Sequence, residues 1–153
     1  MRLAVQFFDV VLWLHILAFF IAFGPTYGYG LFMAAAAKAG PNAMAQAVRA
    51  MMTWDRIAVT IGGVILLVTG HYMAAERWDF SDFFVNWGNI AVLLILGLTH
   101  AYFVPRGKRV VEALDQGRQE EAEALGQQSG KVGAFLGVFV ILTIYVMTAK
   151  PFL

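Results

Sequence analysis

Residues 10–37 form an unbroken run of 28 without a charged side chain, between Asp9 and Lys38. A helix rises about 1.5 Å per residue, so a helix over this run outreaches the roughly 30 Å hydrocarbon core of a bilayer. The run is also far longer than the apolar core of a cleaved signal, about 7–15 residues. It is therefore expected to cross a membrane and to tilt, kink or protrude. Gly24-Pro25, followed by Gly28 and Gly30, is the expected kink, because proline removes a backbone donor and glycine admits the bend.

Three more apolar runs follow, at 57–75, 83–104 and 132–149. Each fits the roughly 17–25 residues that span a bilayer. Composition agrees: 60% of the 153 residues are hydrophobic and 14% are charged, against about 45–50% and about 25% in soluble domains. This balance, with a mean hydropathy of +0.69, excludes a soluble enzyme fold. The absence of cysteine excludes disulfides, zinc–thiolate sites, iron–sulfur clusters and covalently attached c-type haem. A net charge of +1 supplies no basic field for nucleic acid.

The expected fold is all-α, one domain over 1–153, an antiparallel four-helix transmembrane bundle. Its first span covers 10–37, and the connectors are 38–56, the short Glu76–Asp82 loop and 105–131. Gly40-Pro41-Asn42 breaks the chain after span one, and Ala43–Met52 is helix-forming, so span two is expected to extend beyond the bilayer. Gly107–Gln128, the most charged stretch, reads as a solvated helical hairpin.

Four spans place the N-terminus, the Glu76–Asp82 loop and the C-terminus on one face, with Arg2, Arg77 and Lys150. The other face holds Lys38, Arg49, Arg56, Arg106, Lys108, Arg109, Arg118 and Lys131. The positive-inside rule then puts both termini outside and 38–56 and 105–131 in the cytoplasm. Trp13, Trp54, Trp78 and Trp87 fall near span ends, where an aromatic belt belongs.

All three histidines lie in spans, and ionisable residues in lipid are functional candidates. His15 lies six residues inward of Asp9, and His71 five residues inward of Glu76, so both sit about 7–9 Å from the outer boundary. Two level imidazoles on neighbouring helices suit a low-spin haem, one axial ligand from each side. Phe8, Phe19 and Phe20 are expected to pack on the ring, and Ala18, Ala22 and Gly70 to leave room for it. Arg77 and Lys150 at the same rim are expected to meet the propionates. Two alternatives stay open: the histidines join helices by hydrogen bonds, or they form a bare metal or proton-relay site with Glu76 and Asp79 supplying oxygen.

His100 lies six residues from Arg106, about 18 Å from the other two. It cannot share their metal ion. Near its level Gly126, Gly130, Gly133 and Gly137 form one stripe, which suits close helix packing or a second pocket with His100 as its polar handle. Met33, Met73 and Met147 are available as thioether ligands or as filler.

Leu14-His15-Ile16-Leu17-Ala18, Thr99-His100-Ala101-Tyr102 and the closing Lys150-Pro151-Phe152 resemble a bacterial superfamily of small four-helix membrane proteins. It includes the HemJ-type protoporphyrinogen oxidases, the CopD-like copper-resistance domains and uncharacterised integral membrane families, the last being the nearest match. The resemblance implies that His15, His100 and Lys150 occupy functional positions. The chain departs from the pattern at Asn89, where a lysine is common nearby, and after the Pro25 region, where an arginine is missing. His71 rests on depth alone.

These observations lead to one expectation: an inner-membrane protein that binds haem b through His15 and His71, with His100, Arg77 and Lys150 as further cofactor-binding residues. It would serve electron transfer or a porphyrin- or quinone-linked redox step, as a haem-dependent oxidoreductase if it is an enzyme. Its expected partners are the lipid bilayer, a quinone or porphyrin, and a redox protein or a second copy of the chain. The alternative is a non-enzymatic membrane subunit, transport or assembly protein.

Overall fold

The computed structural model describes residues 6–152; Arg2, counted above on the outer face, lies outside them. Four long helices make up the chain: α1 (Phe7–Ala39), α2 (Pro41–Arg77), α3 (Phe83–Asp115) and α4 (Gln119–Ala149). All four are long and apolar enough to cross a membrane. At 31–37 residues each, they run about 47–56 Å, well beyond the hydrocarbon core.

The excess lies at the end where α1 meets α2 and α3 meets α4. The segments 38–56 and 105–131 are helical almost throughout. Gly40 alone joins α1 to α2, with φ +107, a conformation that glycine supplies at little cost, and Pro41 opens the next helix. Gln116, Gly117 (φ +74) and Arg118 turn α3 into α4. This end is called the hairpin end. The other, terminal end carries residues 6 and 152 and the Trp78–Asp82 loop.

Three local departures from α geometry shape the bundle. Pro25–Gly28 is a 3₁₀ turn at the expected kink, where Thr26 Oγ1 donates to the Phe23 carbonyl at 2.6 Å. Asp55–Val59 in α2 and Thr99–Phe103 in α3 are π-helical turns, and they pack against each other. Residues five apart on an α-helix stand about 140° apart. The wider i→i+5 turn brings Asp55 and Thr60 nearer to one face.

The core has three parts. At mid-depth, Ala18, Ala22, Phe23, Val59, Leu66, Ile95 and Val140 are buried together. Here α1 and α2 nearly touch: a Cβ on Gly62 would fall 2.6 Å from the Ala22 Cβ and 3.1 Å from the Ala18 carbonyl oxygen. Phe8, Val11 and Met73 form the terminal-end cluster with Tyr72 and Trp78. At the hairpin end, Ala45, Val48, Val110, Ala113, Leu114 and Ala122 pack with Met33, Met44 and Met52. Outside the core, large apolar residues face outward, among them Val68 at 65% and Phe135 at 71% exposure. Lipid accepts such a surface; water would not.

Two packing expectations are corrected. Ala18 and Ala22 leave no room for a flat ring, because Gly62 of α2 occupies the space they open. The stripe on α4 is not a close-packing seam: among the described residues nothing lies within 4 Å of where Gly126, Gly130 and Gly133 would carry a Cβ, and of the four only Gly137 meets a neighbour, the Tyr27 ring at 3.6 Å. None of the four glycines meets His100.

Candidate functional site

The polar groups inside the bundle fall at two levels. At the terminal end, His15 of α1 faces Thr69 and Gly70 of α2. Its Nδ1 lies 2.7 Å from Thr69 Oγ1, and its Cε1 would be 3.5 Å from a Cβ on Gly70. A Cβ there would be in ordinary van der Waals contact with the ring, so the imidazole lies against this face of α2.

Thr69 fixes the proton on that ring. Its hydroxyl donates to the Ile65 carbonyl at 2.6 Å. A hydroxyl carries one proton, so Thr69 Oγ1 accepts from His15 and the ring proton sits on Nδ1. His71, one residue beyond Gly70, donates from Nδ1 to the Leu67 carbonyl at 2.7 Å, since a carbonyl only accepts. Its ring leans on Phe80 with centroids 5.8 Å apart. Both imidazoles thus have Nδ1 engaged as a donor, and no described residue bonds either Nε2.

Two cations stand at the same end. The Arg77 guanidinium lies 3.6 Å from the centre of the Phe8 ring, and Lys150 Nζ lies 4.7 Å from that of Trp78. Lys150 closes α4 in the left-handed conformation, φ +43, which brings its side chain back over the loop tryptophan. Among the described residues neither cation forms an ion pair. Glu76 accepts from Tyr72 at 3.2 Å and Asp79 from Ser81. The two Ser81 bonds, backbone first and hydroxyl second, hold the Asp79 carboxyl below its usual range. Among the described residues no group of three or more His, Asp or Glu is placed to hold a metal ion.

At the hairpin end His100, in the π turn of α3, uses the opposite ring nitrogen: its Nε2 lies 2.9 Å from Thr60 Oγ1 of α2. His15 is half-buried beside Thr69 and Gly70, and His71, one residue further along α2, is exposed and turned to its own helix backbone. His100 is about 16 Å away along α2, judged by the eleven residues from Thr60 to His71. The methionines named above pack apolar surface: Met33 in the hairpin-end core, Met73 at the terminal end, Met147 against Gly88.

Sequence reasoning missed the threonines. A hydroxyl in an apolar span one turn from an intramembrane histidine's level is a usable signal, and Thr60 and Thr69 were both visible. It also missed the bond from Tyr29 Oη to Asp55 Oδ1, 2.9 Å, which depends on how the kinked α1 meets α2.

No curated protein and no solved structure matches the chain. A family model does, over residues 9–151, and it is described as a predicted integral membrane protein family, DUF2269. With that match running through all four membrane-length helices, the chain belongs to the DUF2269 family of integral membrane proteins.

Proposed function

We propose that this integral membrane protein binds haem b at its terminal end and serves electron transfer or a porphyrin- or quinone-linked redox step, in a bacterial inner membrane with both termini outside. One observation carries the reading. His15 and His71 both have Nδ1 engaged by a hydrogen bond and Nε2 bare, the state in which metal-ligating histidines are held by their outer partners. The donor set fits a low-spin iron, and the residues that would hold the group are His15 and His71, with Arg77 and Lys150 for its carboxylates. When bound, the iron would supply one-electron chemistry. The chain's own part is to orient the imidazoles, through Thr69 and the Leu67 carbonyl, and to cover part of the His15 ring with the α1–α2 packing, while His71 lies exposed on the outer surface of α2. The Ala22–Gly62 contact bounds this site on its deep side.

A second reading has its own support. His15–Thr69 and His100–Thr60 each tie a neighbouring helix to α2, which suits a non-enzymatic subunit, transport or assembly protein whose histidines join helices. Such bonds contribute about 0.6–2 kcal/mol in membranes.

A visible spectrum of the protein purified from a haem-replete host separates the two. The haem reading expects a low-spin Soret band that His15→Ala and His71→Ala each abolish and His100→Ala leaves intact, with Arg77→Ala weakening haem retention more than Lys150→Ala. A wild-type protein without a Soret band, or a band lost only with His100→Ala, rejects it.

A further inference from the structure

Asp55 stands in the π turn of α2, two residues before the charge-free span that begins at Ile57, and is half-buried. Tyr29 Oη donates to its Oδ1 at 2.9 Å. No described residue bonds Oδ2, which is not sealed from the surface. The charge bias assigns eight basic residues to this end. Yet among the described residues no Lys, Arg or His nitrogen lies within 4.0 Å of the Asp55 carboxylate, and the ion pairs formed there join Arg49 to Asp115 and Arg118 to Glu121.

The elements packed against this turn are α1 and the π turn of α3. α1 brings Tyr29. The α3 turn carries His100, bonded to Thr60, and Tyr102, whose ring centre lies 5.0 Å from the Arg106 guanidinium. On α2 itself, Arg56 follows Asp55 and is exposed. The carboxyl is thus partly withdrawn from water with a phenol for its partner and no cation. Partial withdrawal from water raises the cost of the anion; the bond donated by Tyr29 offsets part of that cost, and among the described residues no cation within 4.0 Å offsets the rest. π turns recur at functional positions in helices.

We propose that Asp55 is a proton-binding site of the hairpin end, a carboxyl that exchanges a proton with the aqueous phase on that side, with Tyr29 as its positioning residue. On uptake the carboxyl O–H forms as an O–H bond of hydronium breaks, and on release the exchange runs in reverse. The site lies beyond the haem reading and does not depend on it.

Infrared difference spectra of the full chain in lipid nanodiscs, recorded between pH 5 and pH 9, test it whether or not haem is present. A protonated-carboxyl C=O band is expected to titrate in that range and to vanish in Asp55→Asn, whose amide oxygen still accepts from Tyr29. Tyr29→Phe is expected to raise the band's frequency, because a hydrogen bond to the C=O lowers it. Asp55→Glu is expected to retain a band at a shifted position. A band that persists in Asp55→Asn belongs to another carboxyl, and that result, or the absence of any band in the wild type, overturns the proposal.

Discussion

The membrane-embedded part of the bundle and the part that protrudes at the hairpin end are built from the same four helices but held together differently. In the embedded part, lipid is as apolar as leucine, so burying a large side chain gains little. Cohesion there comes from close approach, Gly62 against Ala18 and Ala22, and from hydrogen bonds such as Trp87 Nε1 to Thr143 Oγ1 at 3.1 Å. In the protruding part, Val48, Val110 and Leu114 pack together while Lys108, Arg109 and Asp115 face outward. Water is the solvent, and each such side chain contributes about 1.5–3 kcal/mol by leaving it. The order of mutational costs should therefore follow solvent rather than burial.

The sharpest way to break this comparison is a pair of substitutions measured by reversible unfolding in mixed micelles. Leu114→Ala, at the hairpin end, is expected to cost about 2–5 kcal/mol as a cavity in a water-surrounded core. Gly62→Ala is expected to cost about 1–3 kcal/mol, because its methyl would meet the Ala22 Cβ and a backbone oxygen, neither free to move. Gly88→Ala, whose methyl would meet only the end of the Met147 side chain, should be milder still. A larger loss for Gly62→Ala than for Leu114→Ala would mean that close helix approach, not exclusion of water, dominates the stability of the chain.

A smaller effect sharpens the contrast between the two histidine levels. On the proposed haem reading, Thr69→Val removes the acceptor that orients His15 and is expected to weaken haem affinity about 10- to 100-fold. Thr60→Val, which frees His100 Nε2, should leave it unchanged. Equal effects in a haem titration would show that the threonines act only as links between helices.

The smallest effect belongs to the Trp78–Asp82 loop. The folded-state pKa of Asp79 lies below its unfolded value, so its contribution to stability is present above the unfolded value near 3.8 and is lost as pH falls through the folded one. Asp79→Ala should therefore lower the Tm slightly at pH 7, with the difference fading below about pH 4. A deficit that persisted in acid would trace to lost packing rather than to the carboxylate.

Much of the fold is legible along the chain because each cause is local. Charge-free runs bounded by Asp9, Arg56, Asp82 and Lys131 mark where helices can cross lipid, and Gly24-Pro25 marks the bend. The candidate site is legible in part. Helical rise puts His15 and His71 at one depth, and the structure seats His15 beside Thr69 and Gly70 at that depth. The same arithmetic says nothing about which way a ring nitrogen faces, and it left Ala18 and Ala22 as open space.

By itself, then, the sequence determined the all-α class, the four apolar helices and the charge imbalance between the two ends, since hydropathy and helix geometry act residue by residue. The tertiary structure alone decided the closeness of α1 to α2 and the protonation of the His15 ring by way of Thr69 and Ile65. It also decided the facing of the two π turns and the meeting of Tyr29 with Asp55. These depend on the rotation of one helix about its axis relative to another, which packing fixes at single atoms such as the absent Cβ of Gly62 and which no spacing along one strand of sequence encodes.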